Sequence, residues 1–273
     1  MANFPTIAIG LPFVHSSGLS AQAQTWKASI VANGGSITDA ELAAIDDNFF
    51  KPAVANGSIL TQLDRLNIYA GLSNSIAQRT CIIRGSLITP VSSPTFDING
   101  VKSSGTGYLL LNFNPTAAGL KLSRNSLNHG YIVKNPDYPA TITRAMGCRD
   151  FGAGTRISLL RDNTPQSLAY NNDGTGAGNT NTVGSGWVAF TGIRTNGSNE
   201  NYSLIDSNIV MINRASVAVP NSNTAELTEY TNAGTATGGY DLFSHGASWH
   251  GSGAIDNANL VTFIRNTFTA LGV

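Results

Sequence analysis

The chain has 273 residues, and its 16 basic and 16 acidic side chains cancel at neutral pH, so no long-range field gathers nucleic acid or an anionic membrane surface. Charged residues make up 12% of the chain against 41% hydrophobic, about half the usual charged share of roughly 25%, so Asn, Ser, Thr and Gly carry the polarity. Nucleic-acid binding is set aside on these grounds. The 29 glycines and recurrent NG, NN and GTG combinations suit many short strands joined by tight turns, because Gly and Asn tolerate positive φ. Cys81 and Cys148 fit no metal or redox spacing and read as buried thiols, with a disulfide left open.

Residues 1–20 form an extended, apolar arm. MANFPTIAIGLPFVHSSG carries Pro5 and Pro12, has no basic start and is too short to span a bilayer, so it reads as neither a signal peptide nor a lipid anchor. Such an arm wants a partner surface. Residues 21–80 form a small helical neck. Thr38 to Glu41 is an S/T-x-x-E capping box, followed by an apolar stripe of Leu42, Ile45 and Phe49, and Lys51-Pro52 is expected to stop this helix. A second helix after Ser58 is expected to present Ile59, Leu63, Leu66 and Tyr69 on one face and to end at Gly71.

From residue 81 to 273 the pattern turns to strands. Candidates are 81–89, 107–113, 127–134, 156–162, 186–195, 208–219 and 239–249, separated by turn chemistry at DING (97–100), NNDGTGAGN (171–179) and TNG (195–197). Strands without intervening helices predict an antiparallel sandwich. The last 17 residues break the pattern: Asp256 is a good N-cap, and Leu260, Phe263, Ile264, Thr267, Phe268 and Leu271 form a helical stripe for the sandwich or a neighbouring subunit.

Three stretches carry a family resemblance. They are ITDAELAAIDDNFFKPAVANGSILTQLDRLNIY (37–69), the pair SLNHGYIVK and VMINRASVAVPNSN, and the final strand, Gly-rich turn, Asp256 and helix ending T-x-L-G at Thr269 to Gly272. Together they resemble bacteriophage tail and receptor-binding proteins with a concanavalin A-like, laminin G-like jelly roll, though His245 to His250 departs from that pattern. The resemblance implies a mainly β protein: an antiparallel jelly-roll β-sandwich preceded by a short helical segment and closed by a C-terminal helix. It also implies a virion protein, as tail fibre, spike or head-decoration subunit, held to other virion proteins by its arm, trimeric by analogy and able to bind host-surface polysaccharide. The apolar stripes of the helices would contribute to the subunit interface, at Leu63 and Phe263 for example.

Candidate residues follow from local chemistry. His245 and His250 are five apart, hence on opposite faces of a strand, and could share a metal only if the chain bends near Gly246 or Gly251; no metal and no cofactor is expected. Trp249 reads first as a core residue, with a carbohydrate platform shared with His250 as the alternative. In the 171–181 loop, Asn172, Asp173 and Asn179 offer oxygen atoms, but one carboxylate is thin for calcium, so the loop reads as a hairpin tip. Tyr170, Trp187, and Asn201 and Tyr202 in SNENYS join it as possible ligand contacts. No E-x-D-x-E, G-x-S-x-G, H-E-x-x-H or P-loop occurs, and Glu226 and Glu229 fall in a Thr/Asn-rich stretch, so no enzymatic activity is expected. The alternatives are a purely architectural coat protein and a glycan depolymerase with scattered acids.

Overall fold

The computed structural model describes residues 18–136, 143–161, 167–173, 177–179, 185–195 and 200–273. Most of the expected arm, residues 1–17, lies outside the described residues. Four helices come first: α1 (Ala21–Ala32), α2 (Asp39–Ile45), α3 (Lys51–Asn56) and α4 (Ile59–Gln62). Strand β1 (Leu63–Ile68) and helix α5 (Ser75–Arg79) lead to β2 (Thr89–Val91), β3 (Thr95–Asp97), β4 (Gly100–Lys102), β5 (Tyr108–Leu110) and β6 (Leu127–Lys134). Then come β7 (Thr143–Asp150), β8 (Thr155–Arg161), β9 (Ser167–Asp173), β10 (Ala177–Asn179) and β11 (Trp187–Arg194). The chain closes with β12 (Glu200–Ile205), β13 (Asn208–Asn213), β14 (Ala225–Glu226), β15 (Glu229–Thr231), β16 (His245–Gly251) and α6 (Asn257–Ala270).

The strands form two sheets, as a jelly-roll-like sandwich requires. The first runs β13-β12-β11-β6-β16-β4-β3, with β1 also paired to β16. The second runs β10-β9-β8-β7-β14-β5-β2, with β15 beside β7. Among the described residues the named strands pair antiparallel except that β15 lies parallel to β7, where an isolated parallel bridge also joins Arg144 to Tyr240. Side chains alternate across each strand, so the first sheet has two apolar faces. Tyr131, Val133, Val188 and Phe190 point into the core between the sheets. Ile132, Ala189, Ala247 and Trp249 point the other way, into a core shared with Trp26, Ile30, Leu42, Ile45, Phe49 and Phe50 of the helical segment and with Leu260, Ile264 and Phe268 of α6. The molecule therefore has three layers: helices, first sheet, second sheet.

This arrangement explains the terminal helix. The outer face of the first sheet is apolar and must be covered. Asp256 caps α6 by accepting from the Asn259 amide, and Phe268 packs on Trp187 with ring centroids 4.5 Å apart. The close approach requires Gly246, where a Cβ would strike the rings of Trp187 and Phe268. The capping box forms as the sequence predicts, with Thr38 accepting from the Glu41 amide and the Glu41 carboxylate accepting from the Thr38 amide.

Three local expectations are corrected. Lys51-Pro52 does not stop the helix: a π-helical turn over Asp46–Phe50 joins α2 to α3, and Pro52 falls in the first turn of α3, where its missing N–H costs least. The expected helix over 59–71 is one turn of α4 followed by β1, whose six residues are all buried. There Leu66 and Ile68 face the helical core while Arg65 and Asn67 lie opposite His250 and Ser248 across the β1–β16 pair. Of 81–89, only Thr89 enters a strand, and Ile82 instead joins the helical-side core. Leu63 is 3% exposed within the chain's own core, so this part of the expected subunit interface is already filled from within. Cys81 and Cys148 are both buried and free, and burial pushes the Cys148 thiol up to about 12.

Candidate functional site

The residues singled out from sequence do not assemble into one site. Trp249 is fully buried beneath the helices and donates from Nε1 to Asn128 Oδ1 at 2.8 Å, so its ring is closed to a sugar. His250 is also fully buried, beside Phe113 and His129 with ring centroids 5.1 and 6.1 Å away. The carbohydrate-platform alternative is thereby corrected: both side chains point into cores. Asn172 is buried with φ of 63°, and its Nδ2 donates to the Ser123 and Arg124 carbonyls at 2.9 and 3.0 Å, which makes it a strut for a neighbouring turn. Trp187 is half-buried between Phe268 and the Lys134 ammonium, 5.4 Å from its ring. Tyr170 is partly exposed, with the Arg156 guanidinium 4.2 Å from its ring. Tyr202 is partly exposed on β12, and its carbonyl accepts from Asn171 Nδ2 at 3.1 Å, so the Tyr170–Asn172 and Tyr202 segments are neighbours. The side chains of Asp173, Asn179 and Asn201 lie outside the described residues.

Between the sheets sits a charged network that the sequence hides. A bulge between His245 and Ala247 breaks the alternation of β16, which bends the chain at Gly246 and turns His245 inward with Ser248 and His250. His245 Nδ1 lies 2.9 Å from Glu226 Oε1 and Nε2 lies 3.1 Å from Asp241 Oδ2. Asp241 is in turn paired with Arg161, and Glu226 accepts from Ser248 at 2.6 Å and from the Tyr69 hydroxyl. Burial alone would lower the pKa of His245, but its hydrogen bonds to Asp241 and Glu226 outweigh that and hold it above the ordinary 6.5. Burial works against ionised Asp241 too, yet the Arg161 charge and His245 bring it down to about 2. Burial, then the Glu226 charge, push the Tyr69 phenol well above its ordinary value, so it stays a neutral donor. Glu229 makes a second buried cluster, bound by Arg156 and accepting from Ser158 at 2.8 Å. Glu226 and Glu229 are thus buried strand residues and not loop residues, which corrects the sequence reading. The carboxylates and His245 are sealed from solvent, and the arrangement satisfies buried charge.

The exposed chemistry lies elsewhere. Three partly exposed tyrosines form a ladder: Tyr108 on β5 stands 6.3 Å from Tyr230 on β15 and 6.3 Å from Tyr240, the latter pair stacked at 25°. Burial and the two neighbouring phenols raise the Tyr108 pKa, so its hydroxyl remains a donor. Tyr230 is anchored by donating to the Gly234 carbonyl at 2.7 Å. Beside the ladder opens a pocket of about 280 Å³ lined by Asn114, Asn221, Ser222, Asn223, Tyr230, Thr231, Asn232 and Gly234. Asn114 Nδ2 donates to Asn221 Oδ1 at 2.9 Å and Asn232 Nδ2 to Asp150 Oδ1 at 2.7 Å, which fixes three carboxamides, while among the described residues no hydrogen bond holds that of Asn223. Phe151, 56% exposed under the Arg149 guanidinium, extends the rim. The site thus pairs exposed aromatic rings with a predominantly polar pocket. Sequence reasoning missed it because its parts come from positions 108, 114, 150, 221–223, 230–234 and 240. The one local signal was the Asn- and Thr-rich run NSNTAELTEYTNAG, with Tyr230 inside it.

Comparison with known proteins bears on the fold. No family model and no curated protein matches the chain. Among solved structures, a mutant of Trypanosoma rangeli sialidase displaying trans-sialidase activity is similar over 90% of this chain and 39% of its own, at 12% identity and TM-score 0.53. T. rangeli sialidase with 2,3-difluorosialic acid, as the covalent intermediate, is similar over 89% of this chain and 37% of its own, at 11% identity and TM-score 0.53. Domain 4 of AbnA, a GH43 extracellular arabinanase from Geobacillus stearothermophilus, in complex with arabinotriose, covers 74% of this chain at 11% identity and TM-score 0.48. The chain spans about two-fifths of the sialidases' length, and the likeness is one of fold. It corrects the expectation that the chain is not an enzyme. That expectation rested on the missing carboxylate triplet, whereas sialidases are glycoside hydrolases with a tyrosine nucleophile, so the missing triplet does not exclude glycan chemistry from this fold.

Proposed function

We propose that this chain binds glycans through the Tyr108–Tyr230–Tyr240 ladder and the asparagine-lined pocket beside it. One observation carries the reading: three partly exposed phenol rings stand side by side, and one of them, Tyr230, lines a pocket whose walls include four carboxamides. Phenol faces cover the apolar C–H faces of sugar rings, and carboxamides both donate to and accept from hydroxyls. The glycan-acting proteins among the fold neighbours are consistent with it. The sequence resemblance extends the proposal. The chain would be an exposed subunit of a bacteriophage particle, a tail fibre, spike or head-decoration protein, held by residues 1–20 to other virion proteins. Trimerisation would multiply weak sugar contacts into avidity for host-surface polysaccharide.

The test is to titrate the full chain with surface polysaccharides from candidate bacterial hosts, following binding and polymer length in one incubation. Saturable binding that weakens by about tenfold or more in Tyr108→Ala, at an unchanged melting temperature, supports the site. Binding that is indifferent to Tyr108, Tyr230 and Tyr240 overturns it.

A further inference from the structure

We infer that the asparagine-lined pocket takes uncharged pyranose units, hexoses or N-acetylhexosamines, and discriminates against sialic and uronic acids; this rests on the glycan-binding reading above. The charge that borders the pocket is negative. Asp150 Oδ1 accepts from Asn232 Nδ2 at 2.7 Å and Oδ2 accepts from the Asn221 amide at 3.4 Å, so the carboxylate stands directly behind two lining residues. The nearby cations are committed. Arg149 is stacked on Phe151 with its guanidinium 4.3 Å from the ring, and Arg144 faces Glu229 at 3.6 Å. Among the described residues no cation pairs with the Asp150 carboxylate, so a sugar carboxylate entering here would meet that charge and be disfavoured by it.

The polar groups that remain suit neutral sugars. The Asn223 carboxamide has both its donor and its acceptor uncommitted, the pairing that vicinal hydroxyls or an acetamido group require. The Asp150 carboxylate also holds the Gly152 and Ala153 amides at 2.9 and 3.1 Å, so it shapes the rim while setting its charge.

The experiment measures binding of the full chain to four defined probes, chitohexaose and mannohexaose against an oligo-guluronate and an α2,8-oligosialate, at low and high salt. The expected result is a neutral probe bound at least about tenfold tighter than either anionic one, little changed by salt and weakened by Asn223→Ala. Asp150→Asn, which keeps the acceptor for the turn amides, is expected to raise affinity for the anionic probes selectively. Preference of the wild type for an anionic probe, lost in Tyr230→Ala, would overturn this inference and leave the glycan site standing. Failure of all four probes and of the host polysaccharides would remove the glycan reading itself. An Asp150→Asn variant that melts normally yet shows no gain toward anions would remove the charge discrimination.

Discussion

His245 lies 2.9 Å from Glu226 in the sealed layer between the two sheets, each fully buried. The neutral side chain Gln in place of Glu226 would leave His245 with Asp241 as its one carboxylate partner and would weaken the acceptor for Tyr69 and Ser248. Breaking a buried pair in this way costs about 3–5 kcal/mol. Glu226→Gln is therefore expected to lower the urea midpoint by that equivalent, and a loss below about 1 kcal/mol would show that the network contributes little.

The same layer sets the acid limit of the fold. His129 is fully buried and burial lowers it to about 4, opposed only by Asn171. His250 is lowered well below 6.5 by burial, then by the Arg65 and His129 charges. Both are depressed from an unfolded value of 6.5, so the unfolded chain takes up protons that the folded chain refuses. Stability is full above about 6.5 and falls as pH drops toward 4, by about 3 kcal/mol for His129 alone. His245 has the opposite sign: its folded value is raised, so its contribution is complete below 6.5 and is lost only as pH rises through that folded value. Asp241, depressed to about 2, loses its contribution only below about 4. Urea midpoints measured from pH 7 to pH 4 should fall steadily, and His250→Leu should reduce the proton uptake on unfolding by about one. A flat profile over that range would contradict the burial of both imidazoles.

Trp249 offers a test that separates structure from binding. It fills the helical-side core, and its ring lies so close to β6 that a Cβ at Gly130 would collide with it. Trp249→Ala is expected to cost about 3–5 kcal/mol, and Gly130→Ala about 1–3 kcal/mol through overpacking. Neither should alter glycan affinity under conditions where the protein remains folded. A variant that kept its melting temperature but lost binding would return Trp249 to the ligand site.

Which features could be read in advance depended on how far their causes lie apart along the chain. The capping box at Thr38 and the N-cap at Asp256 are decided within a few residues, and both form as their spacing predicts. Strands β6, β8 and β11 fall on their expected segments because their apolar content and flanking turns are local. Strand β1 was illegible because Arg65 and Asp64 look like solvated charge until their partners are known. Asp64 accepts from the Lys121 and Leu122 amides, and Arg65 reaches Ser248, 183 residues away. The tyrosine ladder was hidden for the same reason: β5 and β15 become neighbours only through β14 and β7, and no local spacing encodes that.

Tyr230 joins the two halves of the proposed site, standing in the ladder beside Tyr108 and lining the pocket with Asn232. Its ring and its hydroxyl do different work, and two substitutions separate them. Tyr230→Phe keeps the ring face but removes the 2.7 Å bond to the Gly234 carbonyl, which loosens the turn over 231–234. A single neutral hydrogen bond is worth about 1 kcal/mol, so this variant should bind within about tenfold of the wild type. Tyr230→Ala removes the ring, opens the pocket wall and leaves Tyr108 unsupported on one side. An aromatic stacking partner contributes about 0.5–1.5 kcal/mol beyond the area it buries, and the lost sugar surface adds to that. Tyr230→Ala should therefore weaken binding by more than about tenfold while Tyr230→Phe does not. Calorimetric titration of the three proteins with one neutral oligosaccharide decides the matter. Equal losses in both variants would mean that the hydroxyl, and the turn it holds, recognise the ligand, and that the stacked ring does not.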